Sequence, residues 1–464
     1  MVRAWIDAIG REGTQSVGQE IESLDYFADE TYQVTDLSAM PEGEGSRGRV
    51  SWITVFLLAF IVLVVLVGGV WPWHYVVKGM GVVLAVAYAV RSLREQLRPS
   101  PEMILFAVWV LWGTAGLLVA VSSTLVRIKL VTLVQVWILL AAVSGLTSSR
   151  RQLSANMFGL LISVAALAVM AIVVSDFMLD TAADLTDERL SWGRNPNGFG
   201  RLMVLGTIAL AYFWSVSKPQ AKIRRMVLIP GFMLLGVSCL RSGSRFSVLG
   251  LALTYVSWLW FSYRREVRQR PSILLWAVIG LLAAGAFFFF AGRGTAGAHR
   301  LESTWLELTG QRARGGGFSR LEIYKTSGRV FLENMAFGVG FDNYRIHSPR
   351  GKVTHSEYME VACSTGLPGA IIYFSIYGFL WVRAGRAAKY APEERDRRVA
   401  GLIRAALLVM LFLGLGAPWF MGKVSWVVLG SFIGYTRDQW RRIKESRGDL
   451  TQWEEIPLSE VPAY

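Results

Sequence analysis

Apolar residues in this chain are gathered into long blocks, and the polar and charged residues are confined to the gaps between them. Many blocks reach 18 residues or more without an acidic residue, the pattern of helices that cross a bilayer. Twelve spans are predicted, at 51–70, 73–90, 103–122, 127–146, 156–175, 198–217, 226–240, 246–262, 272–291, 361–382, 400–417 and 420–436. No Asp or Glu falls inside any of them. The expected architecture is an all-α polytopic membrane protein with about 12 transmembrane helices.

The charges in the gaps orient these spans. With the amino terminus inside, the inner connections hold Arg91, Arg94 and Arg98, then Arg150 and Arg151, then Lys218, Lys222, Arg224 and Arg225. Arg264, Arg265, Arg268 and Arg270 follow, then the basic run from Arg383 to Arg398 and the tail from Arg437 to Arg447. Every connection assigned inside is basic, as the positive-inside rule asks, so both termini are expected in the cytoplasm. Residues 1–49 carry ten carboxylates against four arginines and no apolar h-region, so they read as a cytoplasmic tail and not as a cleavable signal peptide. The domain plan is then a 1–49 tail, a 50–436 transmembrane domain and a 437–464 tail.

Two outer connections are long. Residues 176–197 are acidic and end in Arg194-Asn195-Pro196-Asn197. Residues 292–360 are too polar to span and too regular in apolar spacing to be a linker. Leu321, Tyr324, Phe331 and Met335 recur near helical spacing, which predicts an amphipathic helix over 319–335 within this large outer loop.

Composition agrees with a membrane protein and removes the alternatives. Of 464 residues, 53% are hydrophobic and 18% charged, with mean hydropathy +0.40. A soluble domain runs nearer a quarter charged. Eighteen Trp and 15 Tyr suit a chain with many membrane–water interfaces. The net charge of +14 is accounted for by the basic inner connections, so no nucleic-acid partner is implied. Cys239 and Cys363 have neither a Cys-x-x-Cys nor a neighbouring His and read as small buried residues.

Carboxylates at membrane depth carry the coupling ion in ion-driven carriers, and their absence from the spans counts against that class. Uncoupled channels and flippases stay open. The second signal is an excess of cations on the outer face. Arg194 and Arg201 flank the sixth span, Arg241 and Arg245 sit in the Arg-Ser-Gly-Ser-Arg turn, and Arg293, Arg320 and others populate the long loop. Guanidinium groups match phosphate oxygens in a bidentate fork, so a polyanion site, such as a pyrophosphate at the outer surface, fits both charge and place.

Histidine is scarce: His74 in the first outer turn, and His299, His347 and His355 in the long loop. A neutral imidazole near arginines is a candidate general base. The histidines lack metal-ligand spacing, and no metal or other cofactor is expected. Gly292-Arg293-Gly294-Thr295-Ala296-Gly297 matches a dinucleotide pattern but follows a span and not a strand, so it is set aside.

Several segments together resemble a known family. Thr354-His355-Ser356-Glu357-Tyr358-Met359-Glu360, followed by Thr365-Gly366-Leu367-Pro368-Gly369, is similar to the O-antigen ligase/polymerase superfamily. So are Ser319-Arg320 through Lys325, Gly338-Val339-Gly340-Phe341 through Tyr344, Asn195-Pro196-Asn197 and Ser244-Arg245. The resemblance covers roughly 190–385, and Ser356 stands where that family commonly has Asn. No motif separates ligase from polymerase.

The resemblance implies a metal-independent, inverting glycosyltransferase of the bacterial inner membrane. It would move a glycan from undecaprenyl pyrophosphate to an acceptor, a glycan or a lipid-linked one, on the periplasmic face, in lipopolysaccharide or exopolysaccharide biosynthesis. His355 would be the catalytic base; Arg245 and Arg320 would hold the pyrophosphate; Arg194, Arg201, Arg241 and Arg293 would be secondary contacts. Tyr324, Tyr344 and Tyr358 suit sugar stacking or packing. A metal-dependent transferase would want acidic residues in the first outer loop, which here is Trp71-Pro72-Trp73-His74. A lipid-linked glycan flippase without ion coupling is the other alternative; it needs cations along a path between faces.

Overall fold

A peptide group inside hydrocarbon has no water to bond, so an apolar run must satisfy its own backbone, and a helix is the simplest way to do so. In the computed structural model, residues 52–67, 73–95, 99–178, 196–217, 222–272, 275, 279, 320–348, 351 and 353–446 are described. All of them belong to one compact unit, 52–464, while the other unit, 1–51, lies outside them.

The chain runs through α1 (Trp52–Val67), α2 (Trp73–Glu95), α3 (Pro101–Gly113), α4 (Gly116–Val119), α5 (Ser123–Leu146), α6 (Arg150–Met178) and α7 (Pro196–Val216). It continues through α8 (Lys222–Arg241), α9 (Arg245–Ser262), α10 (Arg264–Gln269), α11 (Arg320–Glu333), α12 (Tyr344–His347), α13 (Glu357–Tyr390), α14 (Glu394–Gly414) and α15 (Lys423–Ser446). Among the described residues there is no strand. Among the described residues, six helices are long and apolar enough to cross a membrane: Tyr75–Arg94, Pro101–Val119, Ser123–Leu146, Arg150–Val173, Asn197–Val216 and Glu357–Tyr390. Helix α1 is apolar but shorter. Of the predicted spans, the ninth, at 272–291, lies almost wholly outside the described residues, and each of the others falls on a helix.

The helices overrun the apolar blocks, and this corrects the picture of a bundle empty of carboxylates. Glu102, Glu357, Glu360 and Asp396 are all buried in first helical turns that the blocks do not include. At one end of the bundle the acids are paired. Arg383 meets Glu102 at 2.9 Å, Arg150 meets Asp396 at 2.7 Å, and Arg398 meets Glu266 at 2.9 Å. Breaking one partner from a buried pair typically costs about 3–5 kcal/mol, because the other charge stays stranded.

The core is aromatic where the opposite end of the bundle needs anchoring. Trp109 meets Phe341, Tyr373 and Phe420 at centroid distances of 5.4, 4.7 and 5.8 Å, and Phe106 meets Trp426 at 4.6 Å. Such edge-on and tilted pairs add about 0.5–1.5 kcal/mol each beyond the area they bury. Trp109, Trp426, Tyr212, Tyr344, Tyr373 and Tyr435 are fully buried, so these rings serve packing and not the interfacial belt expected for Trp and Tyr. Cys239 and Cys363 are free and buried, as expected.

Helix α13 is broken at Gly366, whose φ of 68° and ψ of −173° are open only to glycine. Pro368 has no N–H, and the Leu367 amide turns to the Met335 carbonyl at 2.7 Å. The carbonyls freed by the break find other donors. Cys363 O accepts from Val339 N at 2.8 Å, Ser364 O from Gly340 N at 3.1 Å, and Thr365 O from Trp112 Nε1 at 2.9 Å. The Gly338-Val339-Gly340 turn is therefore docked, backbone to backbone, on the break in α13. Gly338 and Gly340 both have positive φ, and a side chain on Gly338 would collide with the backbone of 363–365.

The predicted amphipathic helix is present as α11, but its inner face differs from the expected one. Ile323, Ser327 and Val330 point inward, toward Val339 and Cys363, while Met335 is exposed and Tyr324 half-buried. The docking of 335–340 on α13 decides which stripe is covered, and the apolar spacing alone could not.

Candidate functional site

The end of α14 and the residues after it meet Arg201 and segments that carry other sequence-predicted residues. The carbonyls at 411–417 face helix ends from several directions. Arg201 Nη2 donates to Leu413 O at 3.0 Å and to Ala417 O at 2.6 Å. Tyr358 Oη donates to Leu411 O at 3.0 Å, and Tyr324 Oη to Leu415 O at 3.4 Å. Gly414 packs against Glu357 and Tyr358, and Gly416 against Phe246. The starts of α7, α9 and α13 and the second turn of α11 thus meet at one end of the bundle. Arg201 and Arg245 stand on two of those helix starts, His355 directly precedes the N-cap of the third, and Arg320 opens α11 one turn before Tyr324.

Arg201 is 6% exposed, and its guanidinium lies over the Trp419 ring at 5.2 Å from the centroid. Glu357 is buried near enough to act on it electrostatically and accepts a hydrogen bond from Tyr373 Oη. Arg241 and Arg245 bracket the turn through Gly243, which has a φ of 65°. Ser244 caps α9, its Oγ accepting from Ser247 N at 3.4 Å, and Ser242 Oγ donates to Cys239 O at 2.6 Å. The hydroxyls of Ser242 and Ser247 press on Gly200, so this turn rests directly on the residue before Arg201. Both Arg241 and Arg245 are half-buried at its rim.

His355 sits between buried Thr354 and the α13 N-cap, Ser356, with a φ of 57°. Left-handed backbone at a non-glycine residue costs on the order of 1–3 kcal/mol and is held only by its surroundings. Here the holding groups are visible. Thr354 Oγ1 donates to Ser356 O at 2.8 Å, Thr354 N donates to Glu360 Oε2 at 3.0 Å, and Glu360 N donates to Ser356 O at 2.9 Å.

A cavity of about 510 Å³ opens beside these elements. Its charged lining is Lys129, Arg201, Arg345 and Lys423 against Asp342 and Glu360, with an apolar side that includes Val64, Leu202, Leu205 and Met421. Asp342 bonds Arg345 at 2.7 Å and Lys129 at 3.5 Å. Like His355, Asp342 has positive φ, at 62°, and these are the two non-glycine residues so built among the described residues. The wall carrying Asp342 is fixed from both sides. Phe341 is buried against Trp109, and Asn343 bonds Ser122, its Oδ1 accepting from the amide at 2.8 Å and its Nδ2 donating to the carbonyl at 3.1 Å. Tyr344, fully buried, donates to Ile323 O at 3.1 Å; burial raises its phenol above the usual tyrosine range, so it remains a neutral donor.

The cavity therefore joins Arg201 to a wall, carrying Asp342 and Arg345, that the sequence reading quoted as a motif but gave no site role, and His355 lies in the segment between two of its lining residues, Val353 and Glu360. Arg241 and Arg245 stand beside it on the adjoining turn and do not line it. Arg320 opens α11, but its side chain lies outside the described residues, as do Arg194, Arg293 and the side chain of His74. Tyr358 stacks on Phe374 at 4.9 Å, so of the three tyrosines considered for sugars, Tyr344 and Tyr358 serve packing. The signal for the wall was that same motif: Asp342-Asn343-Tyr344-Arg345 directly follows the Gly-x-Gly-aromatic turn. Among the described residues, no group of three or more His, Cys, Asp or Glu side chains is placed to hold a metal ion.

A positively biased, partly apolar cavity next to a strained histidine suits a substrate that is both anionic and lipid-borne. Residues 230–374 match the family model described as O-Antigen ligase, a stretch that contains Arg241, Arg245, Arg320, Asp342, His355 and the break at Gly366. No curated protein matches the chain. The match takes in the Arg241–Arg245 turn, the Asp342 wall and the His355 turn, while Arg201 and 411–417 lie outside it, and it supports membership of the O-antigen ligase/polymerase superfamily.

Proposed function

We propose that this protein transfers a glycan from undecaprenyl pyrophosphate to a sugar hydroxyl of its acceptor, on the periplasmic face of the bacterial inner membrane. The observation that carries this is the meeting of the His355 turn, Arg201 and the Arg241–Arg245 turn around 411–417, beside a cavity with four cations and two carboxylates. In this reading the chain spans the membrane twelve times with both termini inside, and the loop 292–360 lies outside, together with the site.

The acceptor hydroxyl oxygen attacks C1 of the first donor sugar. The bond from C1 to the pyrophosphate oxygen breaks, and attack from the opposite side inverts the anomeric carbon. His355 takes the hydroxyl proton, and the leaving pyrophosphate keeps the electron pair of the broken bond. Arg245 and Arg320 neutralise the charge that builds there, which is the largest lever a fixed cation has on such a step. Arg194, Arg201, Arg241 and Arg293 are secondary contacts to phosphate or glycan. No metal is needed for a leaving group already held by guanidinium forks.

The glycan profile of a deletion strain tests the reading. Unattached long chains on the lipid carrier identify a ligase, and single repeat units identify a polymerase; an unchanged profile sinks both. A flippase for lipid-linked glycan is not favoured, since Arg201, Arg345, Lys423 and Lys129 gather at one end and line no path between faces. It would leave lipid-linked glycan stranded on the inner face.

A further inference from the structure

Glu360 is 4% exposed, and no metal, substrate or family motif has given it a role. Counted along an ideal helix, it lies five positions from His355 and on the wrong face. But residues 354–356 are not helical. The chain folds back on itself there, and the Glu360 carboxylate reaches the amide of Thr354, the residue immediately before the left-handed His355. Thr354 is fully buried, so this amide has no water to replace Glu360. The same carboxylate lines the cavity, where Asp342 and Arg345 lie near enough to act on it electrostatically.

We infer that Glu360 is a positioning residue: through the Thr354 amide it holds the left-handed turn that presents His355 to the cavity. The inference rests on the proposed role of His355 as the base. The link is specific in direction. Ser356 and Thr354 tie the turn to itself, with bonds of 2.8 and 3.3 Å between Thr354 Oγ1 and the Ser356 backbone. Glu360 ties the turn to the body of α13, by its side chain at 3.0 Å and its own amide at 2.9 Å. A positively strained residue relaxes when its clamp is lost, and a shift near 1 Å in a catalytic group costs on the order of 10²-fold in rate.

Two variants of the full-length protein in membrane vesicles separate reach from charge, with the strain's own lipid-linked glycan as donor. Glu360→Gln keeps an acceptor oxygen at the same length and gives up the charge. Glu360→Asp keeps the charge and draws it back by one methylene. The expected result is a loss on the order of 10²-fold in kcat by the Asp protein, with KM little changed, and a smaller loss in kcat by the Gln protein. In a His355→Ala background, the Asp substitution should subtract nothing further from the residual rate. Gln weaker than Asp, equal loss in both, or native rates in both would overturn the inference, as would a loss expressed in KM. Near-native transfer by His355→Ala itself would instead sink the base assignment on which it rests.

Discussion

Arg201 donates from one nitrogen, Nη2, to the carbonyls of both Ala417, at 2.6 Å, and Leu413, at 3.0 Å. Leu413 lies in the last turn of α14 and Ala417 beyond its end, so a buried guanidinium ties the helix terminus to the segment that follows it. The same side chain lines the cavity. One residue thus holds the turn on which the site is assembled and supplies part of its charge, whereas Arg245 stands at the rim of that assembly.

This difference separates two arginine variants. Lys ends in a compact, strongly hydrated ammonium, which cannot lie over the Trp419 ring as the planar guanidinium does and is costlier to hold in a dry site. Arg201→Lys should lose about 1.5–3 kcal/mol of stability, the worth of a charge-assisted bond in a dry site, together with activity. Arg245→Lys and Arg320→Lys should keep the thermal transition in detergent and lose about 2–4 kcal/mol of transition-state stabilisation. Full transfer by the latter two proteins would reduce those arginines to surface contacts.

His355→Ala removes the proposed base from a half-buried turn and leaves the packed helices untouched. Transfer should fall by about 10²–10⁴-fold with normal expression and membrane insertion. A rate close to native would show this histidine to be structural.

Gly366→Ala tests the break in α13. An added methyl would meet the carbonyls of Met335 and Ala336, in a backbone conformation closed to alanine. The strain alone is about 1–3 kcal/mol, and the 335–340 segment must move to relieve the contact. We expect a lowered unfolding temperature and loss of transfer together; an unchanged melting curve would mean that the break is not needed for docking.

Transfer should survive chelation of divalent metals, because guanidinium groups and not a cation are proposed to meet the leaving group. Activity lost in chelator and restored by magnesium or manganese would move the enzyme to a metal-dependent class.

Topology is tested at Ser303, in the stretch 292–319, which lies outside the described residues. A cysteine there should react with an impermeant reagent from the periplasm. Access from the cytoplasm only would reverse the orientation and move the site to the wrong face.

Local rules were enough for the helices, the basic connections and the position of α11, because each depends on residues near one another in the chain. The length of an apolar block sets a helix, and the charge beside it sets a preferred side. His355 and the arginines were named as candidates from residue type and order, since these are readable along the chain. Their neighbourhood was not. The meeting of Arg201, Phe246, Tyr324 and Glu357 around 411–417 joins segments far apart in the chain, and no spacing rule spans such distances. The reach of Glu360 to Thr354 was hidden for a related reason: helical geometry predicted the wrong face, and only the left-handed backbone at His355 turns the chain back. Likewise Asp342 and Arg345 became part of a cavity wall because the break at Gly366 offers free carbonyls to Val339 and Gly340. The sequence by itself determined which segments would be helical and which residues are candidates for the chemistry. Tertiary packing alone decided which of them share a cavity, because unsatisfied carbonyls and buried charges must find partners wherever the fold supplies them.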